Sequence, residues 1–291
     1  MTRLSGLFCF SAALALGAPR GAAAAVPTWK LVAEAPIAHK ASVAAFVDEE
    51  DGVTAGYAGA MYVTHDGGKT WTPGVNASAC RFGLEARPGA AWSVGNAGDV
   101  RTSRDGGAHW TALGRFGRSE PGHARFLSFL DARRGLVASP AELGLTADGG
   151  ETWTKLSPPA DAGVIAAVSL AEEAGRPRLR VLDEDGAVWL SQDGGKSWAR
   201  APSPLKKPVM ESMSTPWAAL RFGGAEGVLA VFVDDGGPKG RVYRTRDGGK
   251  TWAEDAIEGG AGLKVGAPNL SWDGKVLVTF DGQKVRVYRV E

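Results

Sequence analysis

Three arginines lie in short apolar runs that are typical of β-strands: Arg81, Arg125 and Arg221. If those strands line one channel, their guanidinium groups could clamp the carboxylate of a small anion through bidentate hydrogen bonds. Glu211 is an acid that would face the same channel, but glycoside hydrolysis requires a positioned pair of carboxyl groups. The alternative is that these side chains line a wet channel and pair with local acids. We name these four residues as candidate binding residues and predict no catalytic residue.

Signatures of metal and cofactor chemistry do not occur in the sequence. The four histidines, His39, His65, His109 and His123, lack the spacing of a zinc site. The aspartates that stand singly in tight turns lack the oxygen-rich spacing of a calcium loop. No phosphate-binding loop and no dinucleotide fingerprint is found. The sequence therefore predicts neither a metal nor a cofactor.

A repeated octapeptide defines the elements that must position the candidate residues. Its Asp-Gly pair favours a tight hairpin turn. The Asp carboxylate accepts hydrogen bonds from backbone N–H groups two residues further along the chain. Its tryptophan leaves the turn and buries on the order of 150–250 Å². We predict a structural role for the Asp and Trp of each copy. The pattern [Ser/Thr]-x-Asp-Gly-Gly-x-[Thr/Ser/His]-Trp occurs five times, with these residues at Asp66 and Trp71, Asp105 and Trp110, Asp148 and Trp153, Asp193 and Trp198, and Asp247 and Trp252.

Each octapeptide stands between the third and fourth of four short strands. Units of about 40–45 residues with four strands are typical of β-propeller blades. After the fifth octapeptide the chain supplies three more strands, and residues 28–32 supply the missing fourth. The prediction is an all-β, six-bladed β-propeller closed by the N-terminal strand, with essentially no helix. Seven blades are the less favoured alternative.

These octapeptides resemble the Asp-box, also called the BNR repeat, and their run is most similar to the photosystem II stability/assembly factor-like propellers. Sialidases are more distantly similar. In these families the box is a peripheral structural turn, so the resemblance implies a fold and no activity. Sialidases carry their first arginine in a Phe/Tyr-Arg-Ile-Pro motif, whereas residues 35–40 here read Ala-Pro-Ile-Ala-His-Lys. The assembly factors have seven blades, so six would be a departure.

The first 25 residues have the pattern of a signal peptide: Arg3, an apolar stretch, and a run of small residues before Val26. Residues 26–291 would then form the propeller domain of a secreted or periplasmic protein, without a later membrane span. Removing residues 1–25 takes away two of the 33 basic residues and none of the 32 acidic ones, which leaves a net charge of −1. This balance gives no electrostatic basis for binding nucleic acid.

The function we infer from the sequence is a non-catalytic platform for binding or assembly, with an unknown protein or a glycan as its partner. The alternative is a sialidase-like glycoside hydrolase or a carbohydrate-binding propeller. Irregular segments at residues 114–123 and 199–215 are expected around the channel mouth, on the face opposite the boxes. We expect a monomer.

Overall fold

The structure is a computed structural model, in which nearly all regular structure is β-strand. No helix among the described residues has the length and apolar character that crossing a membrane requires. The predicted signal peptide and Arg125 lie outside the described residues, which are 26–37, 41–56, 59–75, 81–95, 97–117, 126–206, 208–209, 211–212, 215–234, 237–260, 263, 267–281 and 284–291.

The strands form six blades, which we number in chain order. The first strand, β1 (Thr28–Pro36), belongs to blade 6. Blade 1 contains β2 (Ala41–Phe46), β3 (Gly52–Gly56), β4 (Met61–Thr64) and β5 (Thr72–Pro73). Blade 2 contains β6 (Arg81–Arg87), β7 (Ala90–Gly95), β8 (Asp99–Ser103) and β9 (Thr111–Arg115). Blade 3 contains β10 (Phe126–Phe129), β11 (Gly135–Ala138), β12 (Leu143–Thr146) and β13 (Thr154–Leu156).

The second half of the chain repeats this plan. Blade 4 contains β14 (Ile165–Glu173), β15 (Arg176–Asp183), β16 (Val188–Ser191) and β17 (Ala199–Ala201). A hairpin of β18 (Glu211–Ser212) and β19 (Thr215–Pro216) leads to blade 5. Blade 5 contains β20 (Ala218–Gly223), β21 (Glu226–Asp234), β22 (Pro238–Thr245) and β23 (Ala253–Glu254). The remaining strands are β24 (Ala256–Ile257), β25 (Asn269–Leu270), β26 (Val276–Asp281) and β27 (Lys284–Val290).

Blade 6 joins the two ends of the described chain. Its strand order is β24-β1-β27-β26-β25, and β1 pairs with β27 in antiparallel register from Trp29 opposite Val290 to Pro36 opposite Lys284. Trp29 is fully buried, and its Nε1 donates to Asp255 Oδ2 at 3.0 Å. The predicted six-bladed propeller, its closure by the N-terminal strand and its all-β class are thereby confirmed.

The hydrophobic core is divided among the blade junctions. Among the described residues, six clusters of buried side chains occur, and each joins two neighbouring blades, including blade 6 to blade 1. A sheet of four short strands has apolar residues on both faces, so it is stable only between two others. The ring therefore depends on burial between blades.

Each octapeptide forms a hydrogen-bonded turn between a third and a fourth strand. In the first, Thr64 Oγ1 donates to Asp66 Oδ1 at 2.8 Å and accepts from the Gly68 N–H at 2.9 Å. Asp66 also accepts from the backbone N–H and the hydroxyl of Thr70, at 2.9 and 2.6 Å. The φ angles of Gly67 and Gly68, 73° and 86°, explain why glycine occupies both positions.

The two faces of the ring carry different loops. The box turns lie beside the loops that join first to second strands, as shown by the Gly149 N–H bonded to the Arg133 carbonyl at 2.8 Å. We call this side the box face. The connections between blades lie on the opposite face, where Val209 of the 199–215 segment bridges to Val233 at the far end of β21.

Candidate functional site at the central channel

The first strands of all six blades surround the central axis. They line a narrow cavity of about 80 Å³. Ligand sites for small molecules usually measure about 300–1,000 Å³. The lining is mostly aliphatic, with residues such as Val43, Leu84, Leu127, Val168 and Leu220.

An ion pair crosses the channel on the side of the box face. Arg221 on β20 of blade 5 donates from Nη2 to Glu85 Oε2 on β6 of blade 2, at 2.5 Å. Blades 2 and 5 are diametrically opposed in a six-membered ring. Arg221 Nη1 also donates to the Leu220 carbonyl at 3.2 Å, so its guanidinium is held on two sides. The pair links the two halves of the propeller across its axis.

Glu85 is almost fully buried, at 1% exposure. Burial raises the pKa of its carboxyl, while the positive charges of Arg221 and Arg87 act in the opposite direction. Arg87 Nε lies 3.6 Å from Glu85 Oε1, and desolvation lowers the pKa of this arginine. Its guanidinium also lies over the ring of Trp272, 4.9 Å from the centroid. The carboxyl therefore sits between two arginines, one of which is covered by an indole.

Polar side chains on the first strands also connect adjacent blades. Ser128 of blade 3 accepts from the Leu170 N–H of blade 4 at 2.9 Å, and Ser169 of blade 4 accepts from the Phe222 N–H of blade 5 at 3.0 Å. Glu85 of blade 2 faces the backbone of Phe129 of blade 3 in the equivalent place, which lowers the pKa of its carboxyl against the raising effect of burial. The serine bonds satisfy N–H groups on the free edges of the innermost strands. Glu85 thus faces the neighbouring blade and is bonded to the opposing one.

The four residues proposed from the sequence do not form one described cluster. Arg221 is on the channel but is bonded to Glu85. Arg81 starts β6, four residues before Glu85, which is about 13 Å along a strand. Glu211 lies in the short β18–β19 hairpin that precedes blade 5, and Arg125 lies outside the described residues. Convergence of the three arginines on one anion stays a prediction.

Sequence reasoning missed Glu85, the carboxylate that partners Arg221. Its only signal was an acid within the apolar stretch Leu84-Glu85-Ala86. A buried acid implies a nearby cation. Choosing Arg221 as that cation required knowing which blades oppose each other.

Comparisons with known proteins agree with this architecture. A family model of the BNR/Asp-box repeat matches residues 62–73, which contain the first of the five boxes. The chain is a β-propeller that carries Asp-box repeats. Its sequence is 29% identical over 112 residues to the photosystem II assembly lipoprotein Ycf48 of Synechococcus sp. (strain CC9902). That alignment covers 38% of this chain and only 33% of the relative.

Solved propellers are similar over most of this chain. The structure of YCF48 bound to D1 peptide superposes with a TM-score of 0.56 at 15% identity, over 92% of this chain and 100% of that one. YCF48 from Cyanidioschyzon merolae superposes with a TM-score of 0.53 at 18% sequence identity, over 91% of this chain and 98% of that one. A GH74 enzyme of Niastella koreensis superposes with a TM-score of 0.55 at 14% sequence identity, over 84% of this chain and 44% of that one. At these identities the similarity establishes the fold alone.

Proposed function

We propose that this Asp-box propeller is a non-catalytic platform that binds a protein partner outside the cytoplasm. The observation that carries the proposal is the ion pair between Glu85 and Arg221 across the channel. It places the candidate anion-binding arginine in a bond to the protein itself. The ion pair also holds the buried carboxyl of Glu85 between the guanidinium groups of Arg221 and Arg87.

A glycoside hydrolase site in the channel would require a different arrangement of residues. Sugar binding needs a larger cavity than the roughly 80 Å³ enclosed by the first strands. An acid and a second carboxylate must flank the scissile bond, about 5–10 Å apart. Glu85 would first have to lose its bond to Arg221. A rigid, closed ring instead suits display of loops and edges to a partner.

Similarity to known proteins supports the same conclusion. One similar propeller is YCF48 bound to D1 peptide, and the curated relative is described as an assembly lipoprotein. A propeller of this fold thus accommodates a peptide. We infer a protein partner for this chain on that basis and leave its identity to experiment.

The proposed location rests on residues 1–25, whose charged start, apolar stretch and small-residue end are typical of a signal peptide. Expression of the full chain in a bacterial host should yield a mature protein whose N-terminus is Val26 and which fractionates outside the cytoplasm. An N-terminus at Met1 in the cytoplasmic fraction would contradict secretion without affecting the binding proposal.

Site-specific photocrosslinking tests the binding function. A photoreactive amino acid replaces exposed Arg133 on the box face in one variant and exposed Asp185 on the opposite face in another. We expect one face to crosslink a defined protein in cells, and the purified pair to bind saturably in titration calorimetry. The same preparation should release no product from a fluorogenic sialoside or a panel of glycans. Turnover of any of these, or failure of the purified pair to bind, would overturn the proposal.

A further inference from the structure

The fourth strand of blade 6, β1, differs from the fourth strands of the other blades. β1 has nine residues, whereas β5, β9, β13, β17 and β23 have two to five. On its outer side β1 pairs with β24, and this pairing covers Thr28 and Trp29 only. Among the described residues, none pairs with the outer edge from Val32 to Pro36. That stretch is a free strand edge, the kind of surface to which another strand can be added.

Apolar side chains accompany this edge. Leu31 and Val32 are 40% and 38% exposed, and they are among only four large hydrophobic residues exposed in the described part of the chain. A β-bulge falls between Leu31 and Ala33, where Val32 has no partner on β27. Exposed charged side chains commonly protect strand edges from pairing with a strand of another chain. Glu34 is the acid on this stretch, and it is held by Lys284 and Arg286 at 2.8 and 2.6 Å.

Val32 also lines a groove between blade 6 and the first box of blade 1. The groove encloses about 260 Å³, and its walls include Glu50, Asp66, Lys69 and Arg289. The adjoining loop has four acids in succession, residues 48–51. Hydrogen bonds from Thr70 lower the pKa of Asp66 to about 2, so this carboxylate is ionised at neutral pH.

The walls also carry two bases, Lys69 and Arg289, which equal the wall acids Glu50 and Asp66 in number, but Arg289 is already engaged. Its guanidinium bonds to the Glu49 carbonyl and lies 3.4 Å from the Glu49 carboxylate. Lys69 remains the exposed cation of the walls. The excess negative charge at the groove therefore comes from the adjoining acidic loop, residues 48–51, and it lies beside the apolar Val32. A side chain that entered it would be cationic.

We propose that the outer edge of β1 binds an extended, basic segment of the partner protein as an added β-strand. Backbone bonds along Val32–Pro36 would supply affinity, and an arginine or lysine in the groove beside Glu50 would supply specificity. The inference rests on the proposed binding function and names its partner chemistry. A partner bound elsewhere would remove the inference and leave the binding function intact.

Short labelled peptides test this site with the mature protein. The probe is a capped peptide in which valine alternates with arginine. One control replaces every arginine with glutamate, and a second keeps arginine but carries N-methyl groups on alternate residues. Fluorescence anisotropy should show that each control binds at least about tenfold more weakly, because one removes charge attraction and the other removes backbone donors. Amide NMR shifts should fall on Val32–Glu34.

Protein variants complete the design. Glu50→Lys should weaken the basic peptide about tenfold, because it reverses a wall charge on an exposed side chain. Glu226→Lys, at an exposed position of blade 5, is the matched control and should leave binding unchanged. Binding that tolerates N-methylation, or NMR shifts away from β1, would overturn the inference. So would a concentration-dependent dimer in sedimentation velocity that Val32→Lys abolishes, since a second copy would then occupy the edge.

Discussion

The junction between blades 2 and 3 and the junction between blades 4 and 5 solve one packing problem with different side chains. At the first, Trp92 stacks on Phe129 with centroids 3.9 Å apart and donates from Nε1 to the Gly149 carbonyl at 2.9 Å. At the second, Arg180 lies 3.7 Å above the ring of Phe222 and donates to the Gly248 carbonyl at 3.1 Å. Both carbonyls belong to the first glycine of a box.

The two side chains occupy equivalent positions. Trp92 pairs with Glu85 and Arg180 pairs with Ser169, and these two partners face equivalent backbone positions of the next blade, Phe129 and Phe222. An indole and a guanidinium are both flat groups with N–H donors at the edge. The position therefore requires a flat donor between a phenylalanine ring and a box carbonyl, and it tolerates a change of charge.

The charge makes the second junction dependent on a further residue. Arg180 is 2% exposed and bonds to Glu173, a partly exposed carboxylate. Desolvation lowers the pKa of the guanidinium, which reflects the cost of burying a cation. Trp92 buries a larger apolar surface without that cost. We therefore expect the tryptophan junction to contribute more stability than the arginine junction.

The largest effect is expected from Trp92→Ala. Truncation of a fully buried tryptophan should lower the free energy of unfolding by about 3–5 kcal/mol, since it leaves a cavity beside Phe129. Urea unfolding followed by tryptophan fluorescence and circular dichroism measures the change. Trp92→Phe keeps an aromatic ring and should lose less. A loss for Trp92→Ala no greater than that of an exposed substitution would break the comparison.

A smaller effect is expected from Arg180→Met, which keeps an unbranched apolar stem over Phe222. It removes the donor to the Gly248 carbonyl and the partner of Glu173, so the free energy of unfolding should fall by about 1–3 kcal/mol. Arg178→Met is the matched control, because Arg178 also faces Glu173 at 3.7 Å, and it should cost no more than about 1 kcal/mol. Equal losses for both variants would show that the stacked guanidinium has no special role.

The box turns and the blade count were predictable because their determinants are local. Every hydrogen bond that Asp66 makes within its turn joins residues at most four positions apart, so the octapeptide alone specifies the turn. The same locality fixes the spacing of blades. Closure followed from counting strands at the two ends of the chain.

The central ion pair and the buried tryptophans were not predictable in this way. Glu85 and Arg221 are 136 positions apart, and their contact depends on the register of first strands in opposite blades. In addition, the pairing of β6 with β7 shifts by a residue between Arg81 and Gly83, which alters where the residues of β6 lie along the channel. The fully buried tryptophans are Trp29 and Trp92, outside the boxes, because box tryptophans lie at the outer rim of their junctions. Residue type alone cannot separate these two environments.

The smallest effect is expected in acid, where the two junctions should respond alike. Hydrogen bonds from Thr152 and Thr251 lower the pKa values of Asp148 and Asp247, and those of Asp66 and Asp105 fall to about 2 from an ordinary 3.8. Because these folded-state pKa values are depressed, the carboxylates contribute stability that is complete above about pH 4 and is lost as the pH falls toward 2. The urea midpoint should decline across that window.

Single box variants separate the two junctions in the same acid titration. Asp148→Asn and Asp247→Asn each remove one titrating carboxylate from a box. Each should reduce the decline of the urea midpoint with falling pH by a similar amount, because both turns use a threonine donor at the equivalent position. Asp161→Asn, at an exposed aspartate outside the boxes, should leave the decline unchanged. A flatter curve for only one box variant would mean that its neighbour, Trp92 or Arg180, alters the turn beneath it. The equivalence of the two junctions would then extend to their geometry but not to their electrostatics.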